Sequence, residues 1–135
     1  STIMIPVDLA HADSMQKGLS VAADLAQRHS ATVHLVGVTM SQPTEIAKTP
    51  EAFAQKLAAF SSDKSTEFGV TFQPHTRLSH DLSIDLDSIL VKSAEELGAD
   101  LIIMASHVPG FSEHIFASNA GYIASHVSMS VLIIR

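Results

Sequence analysis

The chain has 135 residues, no cysteine and a formal net charge of −6, with eight Lys and Arg against fourteen Asp and Glu. This length supports one domain around one core, and the lack of cysteine excludes disulfides, thiolate nucleophiles and cysteine-held zinc or iron–sulfur centres. The acidic balance argues against nucleic acid, whose phosphate backbone is gripped chiefly by Lys and Arg, and the short apolar runs broken by charge argue against a membrane span. No basic-then-apolar leader opens the sequence, so the expectation is a soluble, cytoplasmic domain.

Residues 2–8, Thr-Ile-Met-Ile-Pro-Val-Asp, read as a short apolar strand ending on an acid. Pro6 has no N–H to give a ladder, which places it near the strand's end. From Asp13 the period changes. Met15, Leu19, Ala22 and Ala26 share one helical face, with Asp13 or Ser14 as the cap. Residues 31–38, rich in β-branched side chains, form the second strand. Residues 40–50 are turn-rich, and 50–68 are a second amphipathic helix with Phe53, Leu57 and Phe60 on one side. Residues 70–78 alternate as a third strand nearer an edge, and 79–83 are loop. A third helix over 85–97 carries Ile89, Leu90, Ala94 and Leu97, and Gly98 closes it as a carboxyl cap. Residues 101–104, Leu-Ile-Ile-Met, are continuously apolar, as in a strand buried on both faces of a parallel sheet. A small polar loop follows, then a helix from near 110–112 to about 126, then a strand over 131–134.

The order β-α-β-α-β-α-β-α-β specifies an α/β fold. Its form is a five-stranded, mostly parallel open sheet with right-handed crossovers and helices on both faces, a Rossmann-like arrangement. In such sheets ligands bind beyond the carboxyl ends of the strands. A helix amino terminus after the fourth strand favours an anion such as phosphate.

Three stretches carry a likeness to a known family. They are Ile3-Met-Ile-Pro6-Val-Asp8, then Gly98-Ala-Asp-Leu-Ile-Ile-Met-Ala-Ser-His107, then Ala117-Ser118-Asn119-Ala120 with His126 and Val131-Leu-Ile-Ile-Arg135. Together, and in this order, they resemble the universal stress proteins, over the whole chain and least between 39 and 83. The variants Ser106-His107-Val-Pro109 and Ser118-Asn119-Ala120 resemble the small single-domain, ATP-binding branch. The resemblance implies the adenine nucleotide alpha hydrolase-like form of the fold and a stress-regulatory protein binding ATP or AMP, the triphosphate together with Mg²⁺. It implies base and ribose contacts from Pro6, Val7 and Asp8, from Val38, and from Met104 and Ala105. A carboxylate there can accept from an exocyclic amine or a sugar hydroxyl. The phosphates would lie on Ser106, His107, Val108 and Gly110 and on Ala117, Ser118 and Asn119. His107 can donate to them.

The phosphate loop departs from the family pattern. Val108 stands where the family has glycine or, in the short branch, a basic residue, and Ala117 stands where it has glycine. Each Cβ crowds a backbone that the pattern keeps bare, so the expectation is a weakened grip on triphosphate. No Walker-type Gly-Lys-Ser/Thr is present.

Other chemistries find less support. The eight histidines, His11, His29, His34, His75, His80, His107, His114 and His126, show no tight metal-ligand spacing, and no metal site is expected. There is no Gly-x-Ser-x-Gly elbow, and Ser106 directly precedes His107, which rules out ordinary triad geometry. A phosphorylated receiver would need paired acids and a late Lys. The apolar final strand, Val131, Leu132, Ile133 and Ile134, is a pairing hazard unless covered. The resemblance implies that it pairs across a two-fold axis in a homodimer. The leading reading is an adenine-nucleotide-binding regulatory dimer acting on a partner protein that the sequence does not identify. The rivals are a nucleotide-free dimeric interaction module of the same fold and, last, an enzyme of at most slow ATP hydrolysis.

Overall fold

The computed structural model describes residues 1–105 and 115–135. Its elements are β1 (Thr2–Val7), a 3-10 stretch (Leu9–Met15), α1 (Gln16–His29), β2 (Thr32–Met40), α2 (Pro50–Phe68), β3 (Phe72–Ser79), α3 (Leu82–Leu97), β4 (Leu101–Ala105), α4 (Ile115–His126) and β5 (Ser130–Ile134). The strands form one sheet in the order β3-β2-β1-β4-β5. Each neighbouring pair is parallel. The α/β class and the alternating order are as the sequence pattern predicts, with β3 at an edge.

Period-two alternation splits the central strands between two apolar layers. Ile3, Ile5 and Val7 of β1 join Val33 and Leu35 of β2 under α1 and α2, where Leu19, Ala22, Ala26, Phe53 and Leu57 close the layer. Met4 and Val36 face the other way and pack with Ile102 and Met104 of β4, Leu86, Leu90 and Ala94 of α3, and Ile123 of α4. Met4, Leu19, Leu35, Leu57, Ile102 and Met104 are wholly shielded from solvent. Gly37 lets α2 press on β2: a Cβ built there would stand 2.9 Å from Phe53 Cε1 and 3.1 Å from Leu57 Cδ2.

Helix ends follow local chemistry. Thr49 accepts from the Ala52 N–H at 3.1 Å and Pro50 fills the first helical position of α2, so that helix starts where the sequence sets it. Gly98, with φ +66°, takes the left-handed conformation after α3 expected of a carboxyl cap. Pro6 lies past Met4, the last β1 residue in register with β4, where its missing N–H takes no bond from that ladder.

Two boundaries differ from the sequence expectation. Neither Asp13 nor Ser14 caps α1. The 3-10 stretch runs into it, Met15 holds the cap position without a side-chain bond, and Asp8 caps the 3-10 stretch instead. α3 begins at Leu82, ahead of the expected Asp85, because the Asp81 carbonyl accepts from both the Ile84 and Asp85 N–H groups. The expected start of the last helix at 110–112 lies outside the described residues, whereas its end at His126 agrees. Among the described residues no helix is long and apolar enough to cross a membrane.

Candidate functional site

Where β1 and β2 end, the sheet opens into a cavity of about 450 Å³. Parallel strands deliver their carboxyl ends to one side, and the chain departing from each end must turn there, leaving a crevice. Val7, Val36 and Val38 form its base, Leu82, Leu86 and Leu90 of α3 one wall, and Phe53 of α2 reaches the opposite side. Thr44, Glu45 and Ile46 come over from the segment between β2 and α2, and Asp8 to His11 border the remaining side. An apolar enclosure with a few polar groups at its margin is the usual form of a small-molecule site.

The segment over the cavity is braced by its own turn. Thr44 Oγ1 accepts from the Ile46 and Ala47 N–H groups at 3.3 and 3.2 Å, and the Thr44 N–H donates to the Ala47 carbonyl at 2.8 Å. This side-chain-to-backbone turn is typical of threonine. Lys56 of α2 donates to the Ile46 carbonyl, tying the turn to the helix. Thr39, at the end of β2, lines the cavity while only 3% exposed.

Asp8 anchors the polar margin. Its Oδ1 accepts from the Ala10 N–H at 3.1 Å, and its Oδ2 lies 2.9 Å from His11 Nδ1. An ionised carboxylate has no hydrogen to give, so His11 Nδ1 donates in this pair. The bond also fixes the His11 tautomer, and charge change on the ring then takes place at Nε2. Ser14 Oγ donates to the His11 carbonyl at 2.7 Å and steadies the same turn.

Of the residues that the resemblance implies, Val7, Asp8 and Val38 line this cavity together. Pro6 is buried in β1. Met104 packs in the apolar layer with Val36, Leu86 and Leu90 and does not itself line the cavity. Ala105 is half-buried and ends β4 opposite Ile134. Ser106, His107, Val108 and Gly110 lie outside the described residues. Ala117, Ser118 and Asn119 fall near the start of α4. Val131, Leu132, Ile133 and Ile134 make up all but the first residue of β5, an edge of the sheet, and Ile133 is 42% exposed. Sequence reasoning did not find His11, Thr39, the turn at Thr44–Ile46 or the α3 wall. Only the Asp-x-x-His spacing and the acid at the strand end offered a signal, for His11.

A second polar cluster lies on the α3 side of the β2–β3 seam. His34 Nδ1 and His75 Nε2 are 2.7 Å apart with ring centroids at 4.9 Å, so the two nitrogens meet nearly head-on. One must donate and the other accept. Burial lowers the pKa of His34 below its ordinary value. Burial lowers that of His75 too, with help from the charges of His34 and Arg77. Arg77 itself is engaged by Ser93 of α3, its Nε donating to Oγ at 3.2 Å. Among the described residues no three His, Cys, Asp or Glu side chains are grouped to hold a metal ion.

The site and sheet define a class: a parallel, doubly wound α/β domain with a ligand-sized cavity beyond the carboxyl ends of β1 and β2. The family model described as Universal stress protein family matches residues 1–135. The chain belongs to the universal stress protein family. It is similar to Universal stress protein G of Escherichia coli O157:H7, 30% identical over an alignment 146 positions long that covers 99% of this chain and 98% of that protein. In fold it is similar to a universal stress protein from Archaeoglobus fulgidus solved in complex with dAMP, with a TM-score of 0.71, 20% identity and coverage of 99% and 97% of the two chains. It is likewise similar to a universal stress protein solved in complex with cAMP, with a TM-score of 0.70, 16% identity and coverage of 100% and 97%.

Proposed function

We propose that this chain binds an adenine nucleotide, AMP or ATP, in the cavity at the ends of β1 and β2, and that occupancy regulates its action on a partner protein. The observation that carries the reading is the cavity itself. About 450 Å³ of mainly apolar space beside the Asp8 carboxylate suits a purine and its ribose. Asp8 already accepts twice within the chain, yet a carboxylate has about four acceptor positions and retains capacity for a ribose hydroxyl or exocyclic amine. The dAMP and cAMP complexes of structural relatives support the same ligand class. A ligand shifts a regulatory equilibrium only by its differential affinity for the two states, so the mechanism is occupancy rather than turnover. Mg²⁺ would accompany a triphosphate. The exposed β5 edge is the proposed dimer contact, self-complementary across a two-fold axis.

A second reading is favoured by Val108 and Ala117, the two departures in the phosphate pattern: a dimeric interaction module that holds no nucleotide. One experiment separates the two. Mass spectrometry of the supernatant from freshly purified, denatured protein is paired with calorimetric titration of AMP and ATP. Co-purified nucleotide or micromolar affinity is the expected outcome. An empty protein that gives no heat with either nucleotide selects the interaction module.

A further inference from the structure

The two imidazoles on the β2–β3 seam are 41 positions apart in the chain and meet because the parallel register sets Val36 beside His75. Side chains two apart on a strand share a face, so His34 falls diagonally across from His75 on one face of the sheet. The nitrogens that meet, His34 Nδ1 and His75 Nε2, are 2.7 Å apart. Both rings are half-buried rather than sealed, and neither lines the cavity. A separation of this length carries no ligand motif, which is why the sequence predicts no metal.

We propose that His34 and His75 together bind one divalent ion of the late first-row transition series, Zn²⁺ or its neighbours Cu²⁺ and Ni²⁺, through His34 Nδ1 and His75 Nε2, with water filling the remaining positions. Imidazole nitrogen suits these ions, whereas Mg²⁺ and Ca²⁺ take oxygen. Two nitrogens on one tetrahedral Zn²⁺, each bonded at about 2.0–2.1 Å, stand about 3.3 Å from one another. The seam pair is about 0.6 Å short of that spacing. Swinging the rings off their head-on line opens the gap and brings both lone pairs onto one point. The outer nitrogen of His34, Nε2, lies 3.4 Å from Thr32 Oγ1, a polar neighbour of the kind that orients metal-bound imidazole. With hydrogen on His34 Nε2, the hydrogen in the seam belongs to His75 Nε2. When the ion arrives, that hydrogen passes to solvent and solvent supplies one to His75 Nδ1, so both rings stay neutral and no net proton is released. Metal ligation requires neutral imidazole, and burial, which lowers the pKa of each ring, keeps them in that form at neutral pH. Arg77, the cation beside His75, donates to Ser93 Oγ at 3.2 Å and lies 4.0 Å from the Glu96 carboxylate, which offsets its charge.

The test is calorimetric titration of the full chain, first stripped by a chelator, with zinc chloride at about pH 7.5, above the ordinary imidazole value. The proteins are wild type, His34→Gln, His75→Gln and, as a control on the exposed end of α1, His29→Gln. Wild type and the control should bind one Zn²⁺ per chain with equal affinity, and excess Mg²⁺ should not compete. Each seam variant should lose at least about tenfold in affinity. Undiminished binding by both seam variants puts the ion on other side chains and overturns the proposal, as does the absence of binding by wild type. Nitrogen NMR of the wild-type imidazoles asks the same question without a substitution that could disturb the sheet. Zn²⁺ should shift His34 Nδ1 and His75 Nε2, and shifts confined to other histidines overturn the proposal.

Discussion

The Asp8–His11 pair at the cavity and the His34–His75 pair on the β2–β3 seam set one kind of side chain against opposite partners. At the cavity the partner is a carboxylate 2.9 Å away, which accepts from Nδ1 whether or not the ring is charged. On the seam the partner is a second imidazole at 2.7 Å, and that contact survives only while the two facing nitrogens share a single hydrogen. A proton added to the first ring keeps its bond. Full protonation of both rings on the seam brings two N–H groups face to face. The difference teaches that what a proton does to the contact depends on the partner and not on the histidine, since both pairs are half-buried.

Removing Asp8 should break the comparison most. Asp8→Ala takes the acceptor from the Ala10 N–H and from His11 together, and loss of such a cap costs roughly 1–2 kcal/mol. Urea denaturation at neutral pH measures it, and an unchanged midpoint would show that the cap does not stabilise the turn. The next effect concerns acid. The unfolded chain protonates His34 and His75 near the ordinary 6.5, whereas in the fold both protonate only at lower pH. Their contribution to stability is therefore whole above about pH 6.5 and drains away as pH falls toward the folded values. Wild type should lose stability over that interval, and His34→Leu should show a shallower loss, read as denaturation midpoints from pH 7.5 to 5. Equal slopes would remove the seam pair from the account. The smallest effect sharpens the contrast by touching neither pair. Val38→Ala, on the cavity base where open space already borders the side chain, should cost less than about 1 kcal/mol and leave the pH slope unchanged.

Much of the fold is legible because its signals are local. The run Thr49-Pro50-Glu51 writes the start of α2, Gly98 writes the end of α3, and the unbroken Leu101–Met104 run marks a strand buried on both faces. The start of α1 is misread because the capping acid sits before a 3-10 stretch, and Asp13 and Ser14 look equally apt on the page. At the site, Val7, Asp8 and Val38 are legible through the family resemblance, while topology alone places only the ends of their strands on one side of the sheet. Leu82, Leu86 and Leu90 read as ordinary helix core. Whether they seal a layer or edge a cavity depends on how far α3 overhangs the strands, which no spacing encodes. The Thr44 turn lies in a stretch without periodicity. His34 and His75 meet only through the parallel register that sets Val36 beside His75.

α3 both borders the cavity and packs against α4. Its first turns, at Leu82 and Leu86, border the opening, and its buried face continues through Leu90 and Ala94 into the layer shared with Ile123 of α4. A helix of sixteen residues is a stiff rod about 24 Å long, set in an interior packed as densely as an organic crystal. Such a rod does not yield at one point. The rim of the opening and the seat against α4 are thus two ends of one stiff element, and neither can be repacked without regard to the other.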